Sequence, residues 1–457
     1  MEDKEKIEIT VLKGDKLFNE NTPFIINLSS KDPDINYKRC NADLICVIDT
    51  SSSMKGNKIY QVKESLKILI DLMDKNDRLA LILFNRKGTK EFDLQHLTEQ
   101  NKIDLKKKID LFETNRGTNI LSGLKIAVDI LKREKNEKSE EGRVSSVLLL
   151  SDGCDSRYND IQLAENLKKM TKGLELSFTL HTFGYGYNYD EKIMKKLAAL
   201  RDGSFYYVID YNKVSEYFAC VLGGCISVLS KKAKLNVNLL NKNCKIVKIF
   251  GGENLYEYKL SDDNFQTTML QFICGKEYSF VLEINIDENN IKIGEELLAV
   301  NLEYEDISHS NQLANEYIKY NYDLNSLNYN KANEEYIRCQ VYYILDQVMK
   351  LRENGEISKA KNMLNEIKKW IMSKYKGDNK DYLKDIKNAY DLFAKDSYLV
   401  NTSSKNISSQ IVQNLYKKQG SNMNFCNSFQ MNLMQSVSKP KSLNLSEFKN
   451  INFDFKK

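Results

Sequence analysis

The feature that most constrains the fold of this 457-residue chain is an alternation, between residues 42 and 230, of short apolar runs with amphipathic segments. "DLICVID" (43–49), "RLALILF" (78–84) and "SSVLLLSDG" (145–153) are apolar over strand length on both faces, so each face of these strands has to be covered. Between them Ile59, Val62, Leu66, Leu69, Ile70 and Met73 recur at steps of three and four, as do Ile120, Leu124, Ala127, Val128 and Leu131. That spacing is the stripe of a helix lying on a sheet. "LELSFTLHTFGYG" and "SFYYVID" read as later strands, and a helix is expected over 213–231, "KVSEYFACVLGGCISVLSK". The region around Phe92 to Phe112 receives no assigned element. The pattern predicts a doubly wound α/β domain with a mostly parallel sheet over 42–230.

Beyond this domain the period changes to two. "AKLNVNLL", "CKIVKIF", "TTMLQFIC", "EYSFVLEINI" and "ELLAVNLEY" predict a small antiparallel β-sandwich over 231–329. The N-terminal runs "IEITVL" and "FIINLS" have no place in a parallel sheet, so residues 1–41 are expected to join that sandwich. Helical spacing returns over 330–399 and predicts a bundle of two or three helices, in which Trp370 and Ile371 belong to a core stripe. The Ser- and Asn-rich remainder, 400–457, is expected to be flexible or extended.

Composition narrows the function classes. The 68 basic and 63 acidic residues leave a formal charge of +5, which gives no reason to propose nucleic acid or a membrane surface as partner. No stretch reaches the roughly 18 apolar residues of a transmembrane helix, and "MEDKEKIEIT" lacks the apolar centre of a signal peptide. The expectation is a soluble, cytoplasmic protein. The nine cysteines include no C-x-x-C pair, so they signal neither a zinc site nor a redox motif and are expected to be reduced. Cys154 reads as a small loop residue, since a reactive thiol needs a basic partner that is not evident. No G-x-x-x-x-G-K-[ST] is present, and Gly184-Tyr185-Gly186 reads as a tight turn. His96, His181 and His309 lie in distant segments, which leaves a hydrolytic site without a placed general base.

In an open parallel sheet, ligands bind outside the carboxyl ends of the strands. Those ends hold a consistent chemistry here. The first strand closes in Asp49-Thr50-Ser51-Ser52-Ser53, Thr118 stands just before a helix, and the "VLLLSDG" strand ends at Asp152. All are oxygen donors, the set that hard dications such as Mg²⁺ prefer, usually in an octahedron that keeps some waters. Capping of helices and loop amides explains any one of these residues but not all at one sheet edge. Thr50 and Ser52 alternate away and read as loop-packing residues.

Asp49-x-Ser51-x-Ser53, then Gly117-Thr118-Asn119, then Ser151-Asp152-Gly153 resemble the metal-ion-dependent adhesion site of von Willebrand factor type A domains. The resemblance implies that Ser51, Ser53 and Thr118 offer hydroxyl ligands, that Asp49 and Asp152 bind directly or through water, and that Mg²⁺ is held, with Mn²⁺ or Ca²⁺ as alternatives. The order of domain, sandwich and helices is similar to that of intracellular proteins of this type. Some plant members carry a RING finger and act in ubiquitin ligation; the paired-cysteine spacing of that finger is absent, so the activity does not transfer. The functional expectation is a non-enzymatic scaffold or adaptor whose metal captures an Asp or Glu carboxylate of a protein partner. Its rivals are a structural subunit of a large assembly with incidental metal, and a metal-assisted hydrolase.

Overall fold

The computed structural model describes residues 6–393 except 34–36, 38, 137–141, 156, 173–176, 187–188, 209–210, 253–254, 256, 308–309, 321–325, 376, 378 and 392, together with residues 430, 431, 433 and 434. The chain opens with strands β1 (Glu8–Lys13) and β2 (Thr22–Ser29), then enters the α/β unit at β3 (Asn41–Asp49). There follow α1 (Asn57–Leu72), β4 (Arg78–Phe84), β5 (Gly88–His96), α2 (Glu99–Asp110), α3 (Ile120–Asn136), β6 (Arg143–Ser151), α4 (Asp160–Thr171), β7 (Phe178–Tyr185), α5 (Glu191–Ala199), β8 (Phe205–Val208) and α6 (Tyr211–Ile226). The sheet order is β5-β4-β3-β6-β7-β8, parallel throughout except for β5, which runs antiparallel to β4.

Each face of this sheet carries its own core. Leu44, Cys46 and Ile48 point toward α1 and α6, where Val62, Leu66, Ile70, Phe218 and Leu222 bury them. Ile45 and Val47 point toward α3, against Leu124, Ala127 and Val128. Alternation of side chains about a strand therefore splits one apolar run between two helical layers. Helix starts are fixed locally: Thr98 accepts from Asn101 N (3.2 Å) at α2, Asn159 and Gln162 form a reciprocal capping box at α4, and Asp190 accepts from Ile193 N (3.1 Å) at α5.

Two differences from the sequence expectation matter. The unassigned region from Phe92 to Phe112 contains most of the edge strand β5 and the whole of α2. The helix expected over 213–231 stops at Ile226, because Ser227 donates from Oγ to Gly223 O (2.7 Å) and from N to Gly224 O (3.2 Å), ending the turn. Val228 then starts β9 (Val228–Leu239), so the expected domain limit at 230 falls inside a strand.

The sandwich continues with β10 (Cys244–Ile249), β11 (Glu257–Leu260), β12 (Asn264–Met269), β13 (Phe272–Ile273), β14 (Tyr278–Ile286), β15 (Glu296–Asp306) and β16 (Asn311–Lys319). One sheet has the order β1-β2-β14-β10 and the other β11-β12-β9-β15-β16, with β13 also paired to β9. The N-terminal strands thus pair with β14, Phe280 standing opposite Ile26. Phe24, Ile26, Leu28, Leu235, Val237, Phe265, Phe280 and Leu302 fill the space between the sheets.

Helices α7 (Ser326–Glu353), α8 (Ile357–Lys374) and α9 (Lys380–Asp391) pack together over Val341, Leu345, Leu364, Ile371 and Ile386. α7 begins a few residues before the expected limit at 330. It seats Tyr336 on Leu12, Ile25 and Val281, and Tyr336 Oη donates to Glu283 Oε1 (2.6 Å). Trp370 is half-buried and stacks on Phe18 with centroids 4.1 Å apart. The tail expected to be flexible or extended lies outside the described residues apart from positions 430, 431, 433 and 434, which are helical. Of these, Met434 packs on Ala219 and Cys220 of α6. His309 also lies outside the described residues. No described helix is long and apolar enough to cross a membrane.

Candidate metal centre

β3 and β6 are neighbours and end level with each other, which brings Asp49 beside the Ser151-Asp152-Gly153 turn. Asp49 is fully buried. Its Oδ1 accepts from Ser51 N (2.7 Å) and its Oδ2 from Ser151 Oγ (2.5 Å), while Ser151 Oγ accepts in turn from Gly153 N (2.8 Å). Burial pushes the Asp49 carboxyl up to about 6; the hydrogen bonds from Ser151 and Ser51 oppose this and the neighbouring Asp152 adds to it. Gly153 adopts φ +72°, and a Cβ there would stand 3.0 Å from Asp190 O, so the turn that presents Asp152 requires glycine.

The hydroxyls converge beside these carboxylates. Ser51 Oγ and Ser53 Oγ are 2.9 Å apart. Thr50 faces away and donates from both N (2.8 Å) and Oγ1 (3.0 Å) to Phe84 O, and Ser52 is exposed. The segment bearing Thr118 is attached to the end of β3 by a parallel bridge between Ser51 and Asn115 and by Asn115 N donating to Thr50 O (2.7 Å). Its far side is held by Asp155, whose Oδ2 accepts from Ile120 N (2.7 Å) and whose Oδ1 accepts from Arg157 N (2.7 Å) and Tyr158 N (2.9 Å). The structure therefore gathers Asp49, Ser51, Ser53 and Asp152 directly, and places the Thr118 segment through the backbone.

Sequence reasoning missed Lys58. Its Nζ lies 3.0 Å from Asp152 Oδ2, while Asp152 Oδ1 is buried without a hydrogen-bond partner. The lysine reaches this position because Gly186 (φ +81°) leaves its stem room; a Cβ there would stand 2.5 Å from Lys58 Cε. The only available signal was a lysine two residues beyond Gly56, which reads as an ordinary solvated helix residue. Ser151 stands in the sequence motif Ser151-Asp152-Gly153 without an expected role, and the structure shows that it ties the two strand ends together.

The donor set suits a hard dication. A buried carboxylate oxygen lacking a partner, two adjacent hydroxyls and a cation already drawn to Asp152 are what an oxygen-lined cation site presents. Among the described residues no three His, Cys, Asp or Glu side chains cluster to hold a metal, so hydroxyls have to supplement the two carboxylates. The other titratable groups singled out in the sequence lie elsewhere. His181 is within β7, with its pKa lowered to about 3 by burial and by Lys276, and His96 ends β5. The eight described cysteines are free, and of these Cys154 is exposed.

Residues 43–219 match the family model of the von Willebrand factor type A domain. With the sheet order and strand-end constellation described above, this defines the α/β unit as a von Willebrand factor type A domain, a class that commonly binds metal and mediates protein–protein interaction. The chain is 28% identical over 208 residues to an uncharacterized protein of Synechocystis sp., covering 44% of this chain and 47% of that one. It is 30% identical over 158 residues to inter-alpha-trypsin inhibitor heavy chain H2 of Sus scrofa, covering 34% and 17% respectively. It thus spans about half or less of these relatives' lengths. The fold likeness is wider. A von Willebrand factor type A structure from Catenulispora acidiphila superposes with a TM-score of 0.66 at 13% identity, covering 92% of this chain and 99% of that one. The ArnB paralog VWA2 from Sulfolobus acidocaldarius does so at 0.53 and 16%, with the same coverage.

Proposed function

We propose that this chain is a cytoplasmic protein-interaction module, a scaffold or adaptor without catalytic activity, that captures a partner's carboxylate at a divalent cation. Asp49, Ser51, Ser53, Thr118 and Asp152 would hold the ion, Mg²⁺ by the hardness of the donors. When bound, the ion supplies an electrophilic position that a carboxylate of the partner completes. The observation that carries this reading is the orphaned Asp152 Oδ1 beside the Lys58 ammonium, a buried acceptor in want of a cation. The protein's own groups do the remaining work. Ser151 and the Ser51 amide fix the Asp49 carboxylate, Asp155 fixes the Thr118 loop, and the bridge at Asn115 holds the two loops in register. Such preorganisation lowers the ordering cost of binding.

The test is affinity capture from cells with wild-type and Asp49→Ala protein, in Mg²⁺ and in EDTA. Partners retained by wild type in Mg²⁺ and lost in both other conditions support the reading, provided the variant keeps its circular dichroism spectrum. Capture undiminished in EDTA and in folded Asp49→Ala protein refutes it.

A further inference from the structure

The loops that carry the proposed ligands also carry Lys55, Arg116 and Arg157, and the neighbouring β4–β5 turn carries Arg86 and Lys87, all exposed. Elsewhere, four arginines around the domain are tied to carboxylates: Arg39 to Asp77, Arg78 to Asp43 and Glu134, Arg133 to Asp93, Arg143 to Asp43. The five at the metal edge have no carboxylate within ion-pair distance among the described residues. The acids of the same loops are otherwise engaged. Asp49 and Asp152 are buried, Asp155 caps backbone amides, and Asp160 pairs with Lys196, which leaves Glu113 as the exposed acid. Arg86 is also positioned. Its stem lies over Gly117 (φ +87°), where a Cβ would stand 2.4 Å from Arg86 Cγ, so its guanidinium is held beside the loop of Thr118.

A rim of unpaired guanidiniums around a site that takes one carboxylate selects a particular partner chemistry. We infer that the segment captured here is a polyacidic stretch of protein, in which the carboxylate at the metal is flanked by further Asp or Glu side chains that pair with Arg86, Arg116 and Arg157. This rests on the metal reading above. Arginine suits the role because its planar fork meets a carboxylate with two parallel hydrogen bonds. Exposed pairs are individually weak, so three together are expected to tighten binding by about tenfold, with a marked salt dependence of the on-rate.

The experiment uses the full chain in excess Mg²⁺ and two fluorescein-labelled synthetic peptides, measured by fluorescence polarisation. One has a single Asp flanked by Gly and Ser; the other has the same Asp flanked on each side by two Glu. The acidic peptide is expected to bind about tenfold more tightly. The Arg86→Glu/Arg116→Glu variant, altered only at exposed positions, is expected to cancel that preference while still binding the single-Asp peptide in a Mg²⁺-dependent way. Equal affinities in wild type, a preference that survives the charge swap, or failure to bind either peptide overturns the inference, as does a single-stranded oligonucleotide that outcompetes the acidic peptide. The two readings separate cleanly. Mg²⁺-dependent binding indifferent to the swap refutes the rim and keeps the metal site, whereas swap-sensitive binding indifferent to EDTA refutes the metal site and keeps the rim.

Discussion

Replacing Lys58 with Met isolates the cation requirement of the site from its packing. The Lys58 side chain is 25% exposed and that of Asp152 2%, with 3.0 Å between Nζ and Oδ2. Methionine keeps most of the stem that lies against Gly186 and removes the charge. A hydrogen bond between charged groups contributes about 1.5–3 kcal/mol, and partial exposure of the lysine points to the lower end, so about 1.5 kcal/mol is expected to be lost from the metal-free protein. The same ammonium competes with any dication at Asp152. Lys58→Met is therefore expected to tighten Mg²⁺ binding by roughly tenfold, the equivalent of that energy. Urea unfolding in EDTA and in saturating Mg²⁺ gives the first quantity, and calorimetric titration of Mg²⁺ gives the second. The stability deficit should appear in EDTA and close in Mg²⁺, as linkage demands of an ion that binds only the folded state. A deficit of equal size in both buffers with unchanged Mg²⁺ affinity refutes the reasoning, because Lys58 would then be an ordinary surface pair that coexists with the ion.

At the opposite edge of the sheet Asp43 accepts from Arg78 Nε (2.8 Å) and Nη2 (2.6 Å) and from Arg143 Nε (2.7 Å), all three residues being buried. Asp43→Ala strands two guanidiniums and is expected to cost about 3–5 kcal/mol in chemical denaturation. Arg78 also holds Glu134 (2.8 Å), which favours the lower figure, and a loss under about 1 kcal/mol would show that both arginines find other partners. His181 sets a pH dependence. Ser204 N donates to its Nδ1 (3.1 Å), so the neutral ring carries its proton on Nε2, 3.1 Å from Thr179 Oγ1. The folded ring gains a proton only near pH 3 and the unfolded one near its ordinary value of about 6.5. Its contribution is present above about pH 6.5 and declines as pH falls toward 3, by up to about 2 kcal/mol between 6.5 and 5. Asp202 lines the same small cavity, and burial raises its carboxyl to about 6, so it contributes with the opposite sign over part of that range. Comparing His181→Asn with wild type at pH 7 and pH 5 isolates the histidine: the variant should lose less stability on acidification, and an identical loss contradicts the assignment.

What was legible in the sequence follows from which residues act alone. β3, β4 and β6 announce themselves because a strand buried on both faces has to be apolar throughout. β5 and β16 do not, since an edge strand with a solvated face reads as polar: "GTKEFDLQH" and "NQLANEYIK" carry too few apolar positions to separate a strand from a loop. The end of α6 was hidden for the opposite reason, as "CISVLSK" continues the apolar stripe and only the Ser227 hydrogen bonds turn it into a strand. In the site, Asp49, Ser51, Ser53 and Asp152 were visible because their oxygen chemistry recurs at strand ends. Lys58 was invisible because its role depends on Gly186, which lies in another loop and supplies only the absence of a side chain.

The route of the chain fixes how the α/β unit sits on the sandwich. β1 and β2 belong to the sandwich, so the chain passes from the sandwich into β3 and returns to it from α6. Both crossings lie at the amino-terminal end of the parallel strands, where Cys40 N donates to Ile226 O (2.9 Å). The same end is bound to the sandwich by Gln271 Nε2 on Ser145 O (2.9 Å), Ser177 Oγ on Lys231 O (2.6 Å) and Leu270 N on Asp202 Oδ2 (2.9 Å). The candidate metal centre stands at the other end of those strands. A partner held at the centre therefore need not displace the sandwich, and α7 lies further along the sandwich on β1, β2 and β14 with α8 and α9 packed on it. Separating the two modules would require breaking hydrogen bonds contributed by both chain crossings and by β13's approach, so the unit is expected to move as one body. That arrangement gives the protein two rigidly related surfaces, one of which carries the candidate metal centre.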